Sequence, residues 1–248
     1  MVLVYVESPN GSFKKAAFEA VTYGHKTAQV LGTQCVALTL GTANDAGQLG
    51  KYGAAQVLNV ANENLNNFDS QTYTGIIAAI AQQVGAQVIV LNHSSTGKSL
   101  LGRLAAKLDA GSVSAVKTVP TVDGGFKVKR NVFSGKAIAE YEVKSEVKVL
   151  SLMGNALPPA EVGEPVSVQS IDAEGPAGRI KVLERKVVDG TVPLPEAELV
   201  VSAGRGMKGP DNWGIIEELA TELGATTACS RPVADLSLIH ISEPTRPY

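Results

Sequence analysis

Three glycines, Gly204, Gly206 and Gly209, stand in the order G-x-G-x-x-G within VVSAGRGMKGPDNWGIIEELATELG, Val200 to Gly224, between an apolar run and a helical pattern. In such a setting glycine lets the backbone turn tightly or approach a phosphate, with the next helix start facing the anion. Taken alone the motif is weak, and a structural turn explains it as well as a cofactor site does. Arg205, inside the turn, is more specific: a guanidinium suits a phosphate or an electron-rich ring better than it suits a bare packing turn. One helix later TTACS reads as a second strand, ending at Ser230 and Arg231. The two strand ends would therefore bring a hydroxyl and two guanidiniums to one edge of a sheet. A Rossmann-type NAD(P) oxidoreductase, the main alternative, needs an acid at the end of its second strand for the ribose hydroxyls. Ser230 and Arg231 stand there instead, which disfavours NAD.

Other constellations carry less. NHSSTGKS, Asn92 to Ser99, ends a strand and opens a helix, but a P-loop requires glycine where Asn92 stands. Its helix start still offers backbone N–H groups to an anion, which keeps an adenine-nucleotide-binding module open as a second alternative. His25, His93 and His240 are too few and too scattered for a metal site of familiar spacing, and without a G-x-S-x-G nucleophile elbow hydrolase readings lose most of their weight.

The elements that must hold these residues show two textures. Up to Val119 short apolar runs (VLVYV, CVALTL, QVLNV, QVIVL, SVSAVKTV) alternate with helical patterns over Phe13–Leu31, Asp45–Tyr52, Ile76–Val84 and Leu100–Leu108. That order predicts a mostly parallel sheet with helices on both faces. From Phe126 the runs FKVKRNVF, KAIAEYEV and EVKVLSLM alternate apolar and polar residues and predict an antiparallel strand layer; VSVQSID and RIKVLERKVV predict a further strand pair. Prolines in DGTVPLPEA place a domain border near Val192, giving an N-terminal α/β domain over 1–191 and a strand–helix–strand unit over 192–235. In that unit Trp213, Ile216, Ala220 and Leu223 share a helix face widened by Ile215 and Leu219. With 44% apolar residues and a net charge of −2 the chain is an ordinary soluble protein without a nucleic-acid-binding surface. Cys35 and Cys229 read as thiols in a reducing compartment, and neither a signal peptide nor a membrane span is visible.

At this point the residues resemble a known family. VVSAGRGMKGPDNWGIIEELATELGATTACSRPVAD is similar to the opening of the FAD-binding domain of the electron-transfer flavoprotein alpha subunit, and LVYVES and TGKSLLGRLAAKLDAGSVSAV to its N-terminal α/β domain. The resemblance covers about residues 1–235. It implies FAD as cofactor, Arg205 and Ser230 as cofactor-orienting residues, and Arg231 beside the flavin ring, favouring its anionic reduced forms. It also implies an electron carrier rather than an enzyme with its own substrate. The partners would be a beta subunit, flavin dehydrogenases such as the acyl-CoA dehydrogenases of fatty acid beta-oxidation, and a quinone reductase, in a bacterial cytoplasm. The helix after NHSSTGKS becomes scaffold in this reading.

The resemblance stops after Asp235. LSLIHISEPTRPY, Leu236 to Tyr248, is similar instead to the translation of a transposase-based sequencing-library adapter, with Leu236 to Arg246 matching residue for residue. Residues 236–248 are therefore expected to be a non-native tail on a truncated FAD domain. Two consequences are expected: FAD binding that is weak or absent, and apolar side chains at Trp213, Ile216 and Leu219 left poorly covered.

Overall fold

Four apolar runs become the centre of a parallel sheet in the computed structural model: β1 (Val2–Tyr5), β2 (Cys35–Leu40), β3 (Gln56–Val60) and β4 (Val88–Asn92). The model describes residues 1–173, 175, 176, 178, 180, 182–184, 194 and 197–235. By contacts the chain divides into two units, Met1–Val182 and Leu183–Tyr248. The expected border near Val192, most of RIKVLERKVV, His240 and the expected tail from Leu236 onward lie outside the described residues.

In the first unit seven strands run in the order β5-β8-β4-β1-β2-β3-β9, where β5 is Gly111–Val116, β8 Lys148–Leu152 and β9 Val168–Ser170. Every neighbouring pair is parallel. Strand alternation inside these apolar runs divides the interior into two cores. Val2, Val4 and Val6 face one core with Val21 and Tyr23 of α1 (Lys15–Val30). Leu3 and Tyr5 face the other with Ile76 and Ile80 of α2 (Ser70–Gln83) and Leu100 and Leu104 of α3 (Ser95–Lys107). Helices thus cover both faces, as expected for parallel strands.

Gly24 shows how closely α1 sits on the sheet: a Cβ there would lie 2.2 Å from Val4 Cγ2. Helices α2 and α3 begin earlier than their apolar periodicity predicts. Their first turns, SQT and STGK, are polar, and capping starts them: Asp69 accepts from the N–H groups of Gln71 (3.0 Å) and Thr72 (2.8 Å), and Ser94 accepts from Gly97 N–H (3.0 Å).

The antiparallel layer needs correction. FKVKRNVF and KAIAEYEV do form a hairpin, β6 (Lys127–Val132) and β7 (Ala137–Glu142). EVKVLSLM does not join it; as β8 it inserts between β4 and β5 in the parallel sheet. Its polar Ser151 imitates a solvated position but is fully buried, its hydroxyl bonded to His93 Nδ1 (2.9 Å) and to Ala115 N–H (3.1 Å). VSVQSID likewise yields β9, an edge strand parallel to β3.

Candidate functional site

In the second unit β10 (Val200–Ala203) and β11 (Thr226–Cys229) pair in parallel, with α4 (Gly214–Leu223) as the crossover between them and α5 (Arg231–Asp235) following. This is the strand, turn, helix and strand order expected from sequence. Ala203 is level with Cys229, and Ser230 N–H donates to Ala203 O at 3.0 Å, carrying the ladder one residue past the strand. The turn carrying Arg205 and the segment Ser230–Arg231 therefore leave the same carboxyl edge side by side. A Cβ on Gly204 would lie 3.6 Å from Ser230 Oγ. Arg205, Ser230 and Arg231 are all exposed there.

The glycines play a different part from the tight turn expected of them. Gly204, Gly206 and Gly209 all avoid the left-handed region, which Lys208 occupies instead with φ 64°. A Cβ at Gly206 or Gly209 would meet nothing within 4 Å. Neither backbone conformation nor packing among the described residues requires glycine at these two positions. What they leave is open space beside Arg205, the condition for close approach of a ligand to the backbone. The second strand ends in Cys229, Ser230 and Arg231, so the carboxylate that a dinucleotide ribose needs is missing from that strand end.

Trp213 departs from the expected poor coverage. It is 3% exposed and packs with Val233 of α5, Ala203, Met207, Ile216 and Cys229. The indole thus ties the arginine turn, both strand ends and α5 together, although its Nε1–H finds no acceptor among the described residues. Aliphatic contacts across this edge depend on tertiary proximity, and the helical period alone did not reveal them. Leu219, as expected, is 49% exposed.

The remaining sequence candidates have structural roles. Gly97 in NHSSTGKS is required by packing, since a Cβ there would lie 1.8 Å from Asn92 O. The Ser94 hydroxyl that caps α3 also donates to the Glu7 carboxylate. His25 Nδ1 lies 3.0 Å from Gly53 O. Among the described residues no group of three or more His, Cys, Asp or Glu is placed to hold a metal, and no helix is long and apolar enough to cross a membrane.

Comparison with known proteins adds an independent line. Residues 2–181 match the family model of the electron transfer flavoprotein domain, and residues 193–243 that of the electron transfer flavoprotein FAD-binding domain. The second match thus continues beyond Asp235, where the sequence resemblance stops. The chain is 32% identical over 240 residues to electron transfer flavoprotein subunit alpha of Mycobacterium leprae, covering 94% of this chain and 73% of the relative. It is 28% identical over 241 residues to the subunit of the same name from Bacillus subtilis, covering 94% and 73%. With protein FixB of Escherichia coli it shares 31% identity over 212 residues, covering 84% and 67%.

Proposed function

Because the chain belongs to the electron transfer flavoprotein alpha subunit family, we propose that it is the FAD-bearing subunit of a two-subunit electron carrier. In this role it takes electrons from flavin dehydrogenases and delivers them, together with a beta subunit, to a quinone reductase or similar acceptor. The observation that carries the proposal is the shared carboxyl edge of β10 and β11, where Arg205, Ser230 and Arg231 converge beside open backbone at Gly206 and Gly209.

The residues present fit FAD. An anionic diphosphate and a ring system that gains negative charge on reduction call for cationic donors and close backbone approach, and this edge supplies both. Arg205 would bind the cofactor through its guanidinium, and Ser230 would orient it through its hydroxyl. Arg231 would hold positive charge beside the ring and so favour its reduced, negatively charged state. When bound, FAD supplies the one- and two-electron chemistry; the protein supplies position and field.

The same geometry limits affinity. Ligand sites of this kind enclose most of their ligand, whereas these three side chains stand exposed on a two-stranded sheet. The 248-residue chain is expected to hold FAD weakly or not at all, and a purified yellow protein with stoichiometric flavin would overturn that expectation. The function itself is tested on the protein with its FAD-binding domain complete, combined with FAD, a beta-type subunit and a substrate-reduced acyl-CoA dehydrogenase under anaerobic conditions. Bleaching of carrier flavin that requires both subunits supports the proposal; hydride exchange with a nicotinamide cofactor in its place would sink it.

A further inference from the structure

In the first unit the carboxyl ends of β4, β8 and β5 lie side by side. Strand β5 is irregular there: its register on β8 shifts between Val113 and Val116, and Ala115 has φ 55°, a conformation disfavoured for any residue with a Cβ. Bulges of this kind re-aim side chains at the edges of sheets. Here Ala115 N–H reaches Ser151, which also bonds His93, while Ser114 Oγ accepts from Arg130 Nη1 at 2.5 Å. Arg130, from hairpin strand β6, is thereby held at the same edge.

Arg130 is half-buried, and among the described residues its Nε–H is buried without an acceptor and it pairs with no carboxylate. Its neighbour Lys129 does have one, in Glu140 at 3.3 Å. Lys98 is exposed on the first turn of α3, which leaves the carboxyl end of β4 directly after His93, the Lys98 N–H donating to Ser94 O at 2.9 Å. Burial, and after it the charges of Lys98 and Arg130, hold the His93 imidazole below its ordinary pKa. A partly desolvated guanidinium that shares a sheet edge with a second cation and an imidazole is unfavourable unless a negative charge joins them. The carboxyl edge of a parallel sheet is also where α/β folds bind ligands.

We propose that Arg130, Lys98 and His93 form an oxyanion-binding site at the carboxyl edge of β4, β8 and β5, taking a phosphate group. The planar guanidinium favours an oxyanion over a halide, and two cations with an imidazole donor match a doubly charged group. The site is built from residues of the first unit alone and does not rest on the cofactor reading.

The test is a titration of the 248-residue chain with inorganic phosphate against chloride at constant ionic strength, read by the His93 imidazole resonances and by the thermal midpoint. Saturable movement of His93, a higher His93 pKa in phosphate and a phosphate-dependent rise in midpoint are expected. Arg130→Gln should abolish all three. Lys98→Gln, at an exposed position that leaves the fold intact, should weaken binding by roughly two- to five-fold. Ribose 5-phosphate in a parallel arm separates a free anion from a phosphate ester, tighter binding of the ester assigning the site to esters. A non-saturating response to both probes, or an unchanged response in Lys98→Gln together with a properly folded Arg130→Gln, refutes the site; if Arg130→Gln does not fold, Lys98→Gln alone decides.

Discussion

A guanidinium beside a flavin acts through its charge, so the effect of removing it has a definite sign. In FAD-loaded protein with a complete FAD-binding domain, Arg231→Ala should lower the two-electron midpoint potential. A charge-assisted contact is worth ~1.5–3 kcal/mol, which corresponds to a shift of about 30–60 mV. Spectroelectrochemical titration measures it, and an unchanged potential refutes the assigned role. A second residue-scale expectation concerns the two thiols, which form no disulfide. Burial pushes the Cys35 thiol up to about 12, and the nucleophile is the thiolate. At mildly alkaline pH Cys35 should resist thiol reagents until denaturant is added, as mass spectrometry of the modified peptides would show. Arg205, Ser230 and Arg231 were legible in sequence because each sits within two residues of a strand end. Arg130 was not, since FKVKRNVF shows only a basic strand; the missing counter-charge is a property of its surroundings.

At the scale of elements, the caps and close contacts set the cost of substitution. Asp69→Ala removes the acceptor for two N–H groups of α2 and should cost ~1 kcal/mol in urea denaturation. The Thr72 N–H bond, foremost among several, holds the Asp69 carboxyl below its ordinary value. The stabilisation is therefore present above the unfolded carboxylate pKa of about 3.9 and is lost as pH falls through the lowered folded value. The deficit of Asp69→Ala should accordingly shrink in acid. Gly24→Ala gains helix propensity of ~1 kcal/mol but drives a methyl into Val4, an overpacking cost of ~1–3 kcal/mol. A net loss of stability is expected from the same denaturation measurement. Apart from β8 and β9, strand types and helix positions followed from periodicity, whereas the starts of α2 and α3 did not, because their capping turns contain no apolar repeat.

For the molecule as a whole, solution behaviour depends on what each unit leaves uncovered. On α4, Ile215, Leu219 and Leu223 form a stripe at i, i+4 and i+8 and are 66%, 49% and 53% exposed. Contiguous exposed apolar surface favours association. Leu219→Lys should reduce light scattering of concentrated protein without lowering its thermal midpoint; equal aggregation in the variant would place the liability elsewhere.

The sequence by itself determined the parallel α/β class, the strand–helix–strand unit and the residue types at its two strand ends. These depend on local period and on which residues follow an apolar run, and both are carried by neighbouring positions in the chain. Only the tertiary structure decided that β8 lies between β4 and β5 rather than in the hairpin layer. It alone also showed that Trp213 is buried and that Arg130 is held at the strand edge where His93 and Lys98 stand. In each case the deciding quantity is burial against residues distant in sequence: Ser151 looks solvated until three strand ends enclose it, and a lysine- and arginine-rich strand looks solvated until one of its guanidiniums lies half-buried without a carboxylate.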